Sequence, residues 1–207
     1  MALIPRRKVS ESSMELQVSV LSQIATVLDQ LGIPYVLVGS FASSIHGMYR
    51  ATADIDILAD IKTEQVRPLF AALRDSFYVD EYVMREAVAQ RRSFNAIHFD
   101  SVFKMDFFVA KSDDFALAQL NRRQLRKVSP DSDEAVYVAT AEDTILAKLR
   151  WYQAGNETSN NQWNDVLGIL GTSKHTLDLD YLRLWAEKLG LTDLLEKAVG
   201  DTQEEPE

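Results

Sequence analysis

The sequence predicts an α/β (α+β) protein in which a small mixed sheet, flanked by helices, precedes a C-terminal helical bundle. Three observations support this fold class. A short apolar segment at residues 35–38 ends at a Gly-Ser turn and leads into a short helix. Residues 93–98 and 102–109 alternate between apolar and polar side chains, as strands do. From residue 141 onward, helical spacing dominates.

The first half of the chain alternates between helical and extended patterns. Helical spacing over residues 14–31 stops at Gly32, and Pro34 separates this helix from the strand at 35–38. Ser40 is predicted to cap a short helix that ends near His46. A second strand follows at 54–58, and a helix at 63–74 whose regular part begins near Pro68.

The second half starts with a segment of mixed pattern at 76–92. The strands at 93–98 and 102–109 are then predicted to form a hairpin, with Asp100 and Ser101 in its turn. The remaining predicted elements are helices at 142–153, 160–170, 180–189 and 192–199.

These patterns divide the chain into four parts. We expect a flexible N-terminus at 1–13, a core that contains the strands at 14–139, a helical region at 140–199 and an acidic disordered tail at 200–207. A length of 207 residues suits one compact domain with a helical appendage.

Composition excludes several classes of protein. The balance of 46% hydrophobic and 26% charged residues is that of a soluble globular protein. A net charge of −9 argues against broad coating of nucleic acid, although a local site is compatible with it. Without cysteine, any metal must use oxygen ligands or one of the three histidines. The short apolar run before Arg6 does not fit a signal peptide, and no membrane-spanning segment is evident, so we predict a cytoplasmic protein.

Three aspartates stand in otherwise apolar strands. Asp54 and Asp56 alternate with isoleucines, and residues two apart in a strand project from the same face. Asp106 lies among aromatic residues of a later strand. Neighbouring carboxylates repel unless a proton or a cation lies between them, and oxygen ligands suit a hard ion such as Mg²⁺ or Mn²⁺. The three acids are therefore a candidate divalent-metal site.

The Gly39-Ser40 turn is a candidate phosphate site. Glycine lets a phosphate approach the backbone, and a helix N-terminus offers free N–H groups to an anion. Two metal ions beside such a turn can stabilise the attacking and leaving oxygens of an in-line phosphoryl displacement. The chemistry indicated is transfer from a nucleoside triphosphate.

These motifs resemble those of a known superfamily. Gly39-Ser40, Asp54-Ile55-Asp56 and Asp106 are similar to the signature of the nucleotidyltransferases typified by DNA polymerase beta. The longer pattern His46-Gly47 followed by residues 50–56 resembles, more narrowly, the AbiEii-type nucleotidyltransferases of bacterial toxin-antitoxin systems. The segments 142–150 and 162–165 match the second half of that family, so the resemblance covers roughly residues 30–170.

The resemblance implies a role for each matched residue. In that family three acids bind metal, the Gly-Ser turn holds triphosphate, a helical lysine contacts phosphate and a later aspartate supports the site. By position these are Asp54, Asp56 and Asp106; Gly39 and Ser40; Lys148; and Asp165. The resemblance also implies an RNA acceptor, tRNA in particular, and an antitoxin partner. The chain departs from the pattern at residues 162–164, where typical members carry a basic residue.

Two other functions are compatible with the sequence. The acceptor can be a small molecule, as in antibiotic nucleotidyltransferases, because an acidic protein suits a cationic acceptor. A catalytically inactive member could instead keep the fold as a binding module, although the intact acids argue against it.

Several further residues are candidates with a plainer alternative. Tyr152, one turn from Lys148, could flank a nucleotide, but like Trp151 and Trp163 it is more often a core aromatic. Arg50 could hold a phosphate or neutralise the acids, and His46 is expected to pack or cap the short helix. The basic run 121–127 is usually a solvated face, and it would contact the backbone of an RNA acceptor.

Overall fold

A computed structural model describes residues 6–47, 54–127 and 135–204, with side chains described between residues 16 and 202 of those ranges. It confirms the predicted α/β class, because helices surround one mixed sheet. The strands are β1 (Tyr35–Val38), β2 (Asp54–Ala59), β3 (Phe77–Tyr78), β4 (Ser93–His98), β5 (Lys104–Val109), β6 (Gln124–Lys127) and β7 (Ala135–Val138).

The helices lie before, between and after these strands. A short 3₁₀ turn at Thr63–Gln65 leads directly into the third of them. The helices are α1 (Arg6–Gln30), α2 (Gly39–His46), α3 (Val66–Leu73), α4 (Glu81–Gln90), α5 (Asp114–Arg122), α6 (Ala141–Ala154), α7 (Asn160–Ser173), α8 (Leu179–Leu189) and α9 (Thr192–Glu204).

The strand order of the sheet is β3-β4-β5-β2-β1-β7-β6. β2 lies between β1, to which it is antiparallel, and β5, to which it is parallel. β4 and β5 form the predicted antiparallel hairpin. β2 and β5 therefore occupy the middle of the sheet, and their starting ends lie side by side.

The two faces of the sheet have different surroundings. One face carries Ile55, Ile57 and Phe107, which pack in a single apolar cluster with residues of α1, α3 and α4. The other face carries the acids, and only part of it is covered, through small contacts such as Leu58 with Leu120 of α5. A second core lies within α6 to α9. The alternation of β2 thus directs isoleucines into the main core and aspartates away from it.

Several boundaries differ from the sequence-based expectation. α1 begins at Arg6 rather than at residue 14, and α9 continues to Glu204 rather than ending at 199. α4 and α5 were not predicted, although each has an aspartate cap: Asp80 accepts from the backbone of Tyr82, and Asp113 from that of Ala116. No described helix is long and apolar enough to cross a membrane.

The predicted cap of α2 was wrong. Its N-cap is Val38, which provides no side-chain hydrogen bond, and Ser40 lies inside the first turn. The chain passes from β1 into α2 through Gly39, whose φ of +67° is in the left-handed region that glycine adopts most easily. The Ser40 side chain is consequently available for contacts across the site rather than for its own helix.

Candidate active site

The three predicted acids lie on two neighbouring strands. β2 and β5 are parallel, and their register places Asp56 directly beside Asp106 and Asp54 beside Lys104. Cross-strand neighbours share a face, so all three carboxylates project from the incompletely covered side of the sheet. Asp54 is exposed, while Asp56 and Asp106 are half-buried. The structure therefore brings together the acids that the sequence places fifty residues apart.

Gly39 is required by the position of Asp56. A Cβ at residue 39 would lie 1.9 Å from Asp56 Oδ2 and 2.8 Å from Asp56 Cβ. No side chain fits at that distance, and the positive φ adds a second constraint. The backbone N–H of Ser40, next in the chain, donates a hydrogen bond to the Asp56 carboxylate. The Gly-Ser turn thus fixes one acid of the cluster, a role that the sequence alone did not indicate.

Asp56 is the most electrostatically perturbed of the three acids. Burial raises its pKa, and the neighbouring carboxylates of Asp106 and Asp54 raise it further. The Lys148 ammonium and the Ser40 N–H act in the opposite direction, but burial dominates. The surroundings of Asp56 therefore disfavour its ionised form.

Lys104 is the residue of this cluster that sequence reasoning missed. Its Nζ lies 2.8 Å from Asp106 Oδ2 and 4.0 Å from Asp54 Oδ1. The hydrogen bond to Asp106 raises the pKa of Lys104, so the side chain is cationic at neutral pH. The signal was present in the sequence, because Lys104 precedes Asp106 by two residues and must share its face.

The arrangement is suited to a divalent cation, but not preassembled for one. Among the described side chains, no group of three acidic or histidine residues is close enough to hold a metal ion. The ammonium of Lys104 lies between Asp54 and Asp106 instead. The carboxylate oxygens are of the kind that suits Mg²⁺ or Mn²⁺, and binding of such an ion would require the Lys104 ammonium to move away.

Lys148, the predicted phosphate contact, is a buried lysine. Its Nζ donates to Asp165 Oδ2 at 2.7 Å and to Ser40 Oγ at 3.3 Å. Both members of the Lys148–Asp165 pair are almost fully buried. Lys148 therefore connects α6, α7 and the start of α2 beside the acid cluster, and its charge also acts on Asp56.

A family model described as "nucleotidyltransferase of unknown function (DUF6036)" matches residues 16–163. This range contains every member of the site except Asp165. The chain belongs to the DUF6036 family.

Solved structures show the same fold in other nucleotidyltransferases. The antibiotic-resistance factor ANT(2'')-Ia in solution is 16% identical, with a TM-score of 0.57 over 84% of this chain and 92% of that one. The crystal structure of ANT(2'')-Ia in complex with adenylyl-2''-tobramycin is 15% identical, with a TM-score of 0.51 over 84% of this chain and 98% of that one. The crystal structure of an antigenic nucleotidyltransferase-like protein from Paracoccidioides brasiliensis is 16% identical, with a TM-score of 0.53 over 91% of this chain and 93% of that one. A search of curated proteins finds no match.

The aromatic candidates of this DUF6036 protein divide into core and surface residues. Tyr152 and Trp163 pack against each other, with ring centroids 5.0 Å apart, in the core of the C-terminal helices. The Tyr152 ring therefore offers a nucleotide little surface. Trp151 was expected in the core, but it is 60% exposed and contacts Phe108 of β5. Tyr152, the next residue, is buried because it faces α7, whereas Trp151 lies on a side of α6 that α7 does not cover.

The basic run 121–127 of the DUF6036 protein is only partly available for RNA. The Arg122 side chain lies over the Tyr181 ring and contacts Glu142, and Arg123 lies over Tyr137. Arg126 lines a polar cavity of about 380 Å³. These residues end α5 or lie on β6, at the edge of the sheet farthest from β3.

Of the two remaining candidates, His46 and Arg50, the structure describes only His46. His46 Nε2 lies 2.6 Å from the Ala139 carbonyl oxygen, and burial lowers the His46 pKa. This packing position at the end of α2 agrees with the structural role expected for His46. Arg50 lies outside the described residues.

Proposed function

We propose that this DUF6036 protein transfers a nucleoside monophosphate from a nucleoside triphosphate to an acceptor hydroxyl in a Mg²⁺-dependent reaction. The observation that carries the proposal is the register of Asp56 with Asp106 beside the start of α2. It combines paired carboxylates with a helix N-terminus that attracts anions, on one face of the sheet.

Each residue near the acids has a specific role in the proposed reaction. Asp54, Asp56 and Asp106 would hold the metal, which neutralises charge on the reacting phosphate. Lys148 would reach a triphosphate oxygen by giving up its longer contact, the one with Ser40 Oγ. Its partner Asp165 keeps the ammonium oriented during that exchange.

The acceptor oxygen attacks the α-phosphorus, and the bond from that phosphorus to the bridging oxygen of the β-phosphate breaks. Pyrophosphate leaves, and the proton of the acceptor hydroxyl passes to a carboxylate oxygen of Asp106. Asp106 is the suitable base because its carboxylate lies on the incompletely covered face and is contacted by the Lys104 side chain, which can move, rather than by a backbone N–H. Asp56, which is held by the Ser40 N–H, is fixed in place and less suited to proton transfer.

The acceptor has two candidates. The motif resemblance favours RNA, with tRNA foremost, and a toxin controlled by an antitoxin in the cytoplasm. A small cationic acceptor is favoured by the local charge, because phosphates of an RNA would approach Asp54 and Asp106 while much of the basic run is occupied elsewhere. The neighbouring structure of ANT(2'')-Ia holds an adenylylated antibiotic, which fits this second candidate.

The test is product labelling with each of the four α-labelled nucleoside triphosphates and Mg²⁺. One series receives total RNA, and the other a panel of aminoglycosides and polyols. We expect label on one acceptor class, lost in Asp106→Asn and retained in Asp100→Asn, an exposed turn residue outside the cluster. Absence of labelled product in both series, despite bound nucleotide, would leave the binding-module alternative.

A further inference from the structure

Trp151 is an exposed tryptophan whose ring contacts another aromatic side chain. It is 60% exposed, although large aromatic rings are usually covered in soluble proteins. The ring lies against that of Phe108, with centroids 6.4 Å apart and planes inclined at 58°. Phe108 is itself half-buried against the small cluster under α5. One side of the indole is therefore supported while much of its surface is open to solvent.

The position of Trp151 relates this open ring to the acid cluster. Phe108 follows Asp106 by two residues on β5, so both side chains lie on the same face of the sheet. On α6, Trp151 follows Lys148 by three residues, which places it just under one turn, or ~4.5 Å, farther along the helix axis. The ring thus lies close to the proposed triphosphate contact and above the strand that bears Asp106.

We propose that Trp151, supported by Phe108, is the stacking platform for the base of the donor nucleoside triphosphate. This inference rests on the proposed function, because it takes the triphosphate to lie near Ser40 and Lys148. From there the nucleoside extends away from the phosphates by a few ångströms, a span that one helical turn of α6 matches. A neutral planar base also suits a surface beside carboxylates, where a second anionic group would be repelled.

The platform has a consequence for selectivity. Stacking on an aromatic ring tolerates every base, since each base has a π-face. The indole adds only one hydrogen-bonding group, the Nε1–H donor. We therefore expect all four nucleoside triphosphates to depend on Trp151, and the larger purines to depend on it most.

The experiment compares binding of ATP and of inorganic tripolyphosphate, each with Mg²⁺, by titration calorimetry. Trp151→Ala should weaken ATP binding by on the order of ten-fold and leave tripolyphosphate binding unchanged. Trp151→Phe should restore most of the ATP affinity, because phenylalanine keeps a π-face. Tyr82→Ala is the matched control, since Tyr82 is even more exposed than Trp151 but lies on α4, which packs on the other face of the sheet.

Each result decides between the two proposals. If Trp151→Ala binds ATP as tightly as the wild type, the platform is overturned while the triphosphate site stands. An equal loss of ATP and tripolyphosphate would also overturn it, because the effect would then not concern the base. A wild-type protein that binds neither ligand would overturn the proposed function and the platform together.

Discussion

Two groups of acidic residues in this protein differ in how their charge is compensated. Asp143, at the start of α6, is fully buried, yet Tyr181 Oη donates to its Oδ1 at 2.6 Å and Arg122 lies 3.8 Å from its other oxygen. The adjacent Glu142 accepts from the Asp178 backbone. On the sheet, by contrast, the Lys104 ammonium pairs with Asp54 and Asp106, and Asp56 has the Ser40 N–H and the charge of Lys148.

The difference lies in the partners of the acids, because burial raises the pKa of Asp143 as it does that of Asp56. The helical group has partners on α5 and α8, and these contacts hold the C-terminal helices against the rest of the fold. The sheet group keeps an excess of negative charge in a half-buried position, which is costly without a ligand. The sheet acids, which lie together on the incompletely covered face, are therefore the ones to test for metal and nucleotide.

Lys148→Ala should have the largest effect on stability. It removes the ammonium that compensates buried Asp165, so we expect a loss of about 3–5 kcal/mol in the free energy of unfolding. Chemical denaturation measures this loss. The double variant Lys148→Met with Asp165→Leu should recover much of it, because no buried charge remains. A loss below about 1 kcal/mol would show that Lys148, like the sheet acids, is held mainly for ligand.

Tyr181→Phe tests the helical group and should cost less. Removing the hydroxyl leaves a buried oxygen of Asp143 without that donor, at a cost of about 1–3 kcal/mol. Nucleotide affinity of the folded protein should not change, because Asp143 lies near the start of α6, more than one helical turn before Lys148. If the fully folded Tyr181→Phe variant bound nucleotide more weakly than the wild type, the two acidic groups would be coupled.

Lys104→Gln should strengthen metal binding by the sheet acids. The variant removes the cation that Mg²⁺ must displace, so we expect about a two- to five-fold gain in Mn²⁺ or Mg²⁺ affinity without nucleotide. Paramagnetic detection of free Mn²⁺ reports this directly. Lys111→Gln, which removes an exposed lysine beyond the other end of β5, is the control. Weaker binding in Lys104→Gln would instead show that the lysine orders the carboxylates for the metal.

Asp56→Asn should have the smallest effect on stability, and the size of this effect depends on pH. Burial and then the Asp106 carboxylate raise the Asp56 pKa, so the folded protein binds a proton more readily than the unfolded chain. Stability from this group is present below pH 3.8 and is lost as pH rises through the raised folded pKa. The metal-free variant should therefore melt at or above the wild-type temperature at neutral pH.

The advantage of Asp56→Asn should shrink as the pH approaches 3.8, when the wild-type carboxyl is protonated. Thermal melts across this range, in the presence of a chelator, measure the difference. Asp100→Asn provides the control, because that carboxyl is exposed in the hairpin turn. A variant that melts below the wild type at neutral pH would show that Lys148 and the Ser40 N–H already compensate Asp56.

Much of the site could be predicted because strand periodicity fixes which side chains share a face. Asp54 and Asp56 had to project together, and the strand bounds of β1 were predicted correctly. The pairing of Asp56 with Asp106 could not be predicted, since the register of two separated strands depends on tertiary contacts. The strand periodicity already implied Lys104, which was overlooked.

Other features depend on packing that no local pattern contains. Trp151 and Tyr152 are neighbours of similar character, and only the position of α7 decides which of them is buried. The burial of Lys148 likewise depends on Asp165 from the next helix. β6 and β7 have four residues each, too few for a clear alternating pattern. Gly39 was read as a phosphate contact because the approach of Asp56 is visible only in three dimensions.

The internal cation of Lys104 has a consequence for how the protein matures. Because one ammonium already lies among the carboxylates, folding of these strands does not need a divalent ion to offset their charge. Under the proposed function, the metal would therefore enter a finished structure rather than act as a nucleus around which the strands assemble. A chelator should accordingly silence such a protein without unfolding it, and returning the ion should restore it at the speed of ligand exchange rather than of refolding.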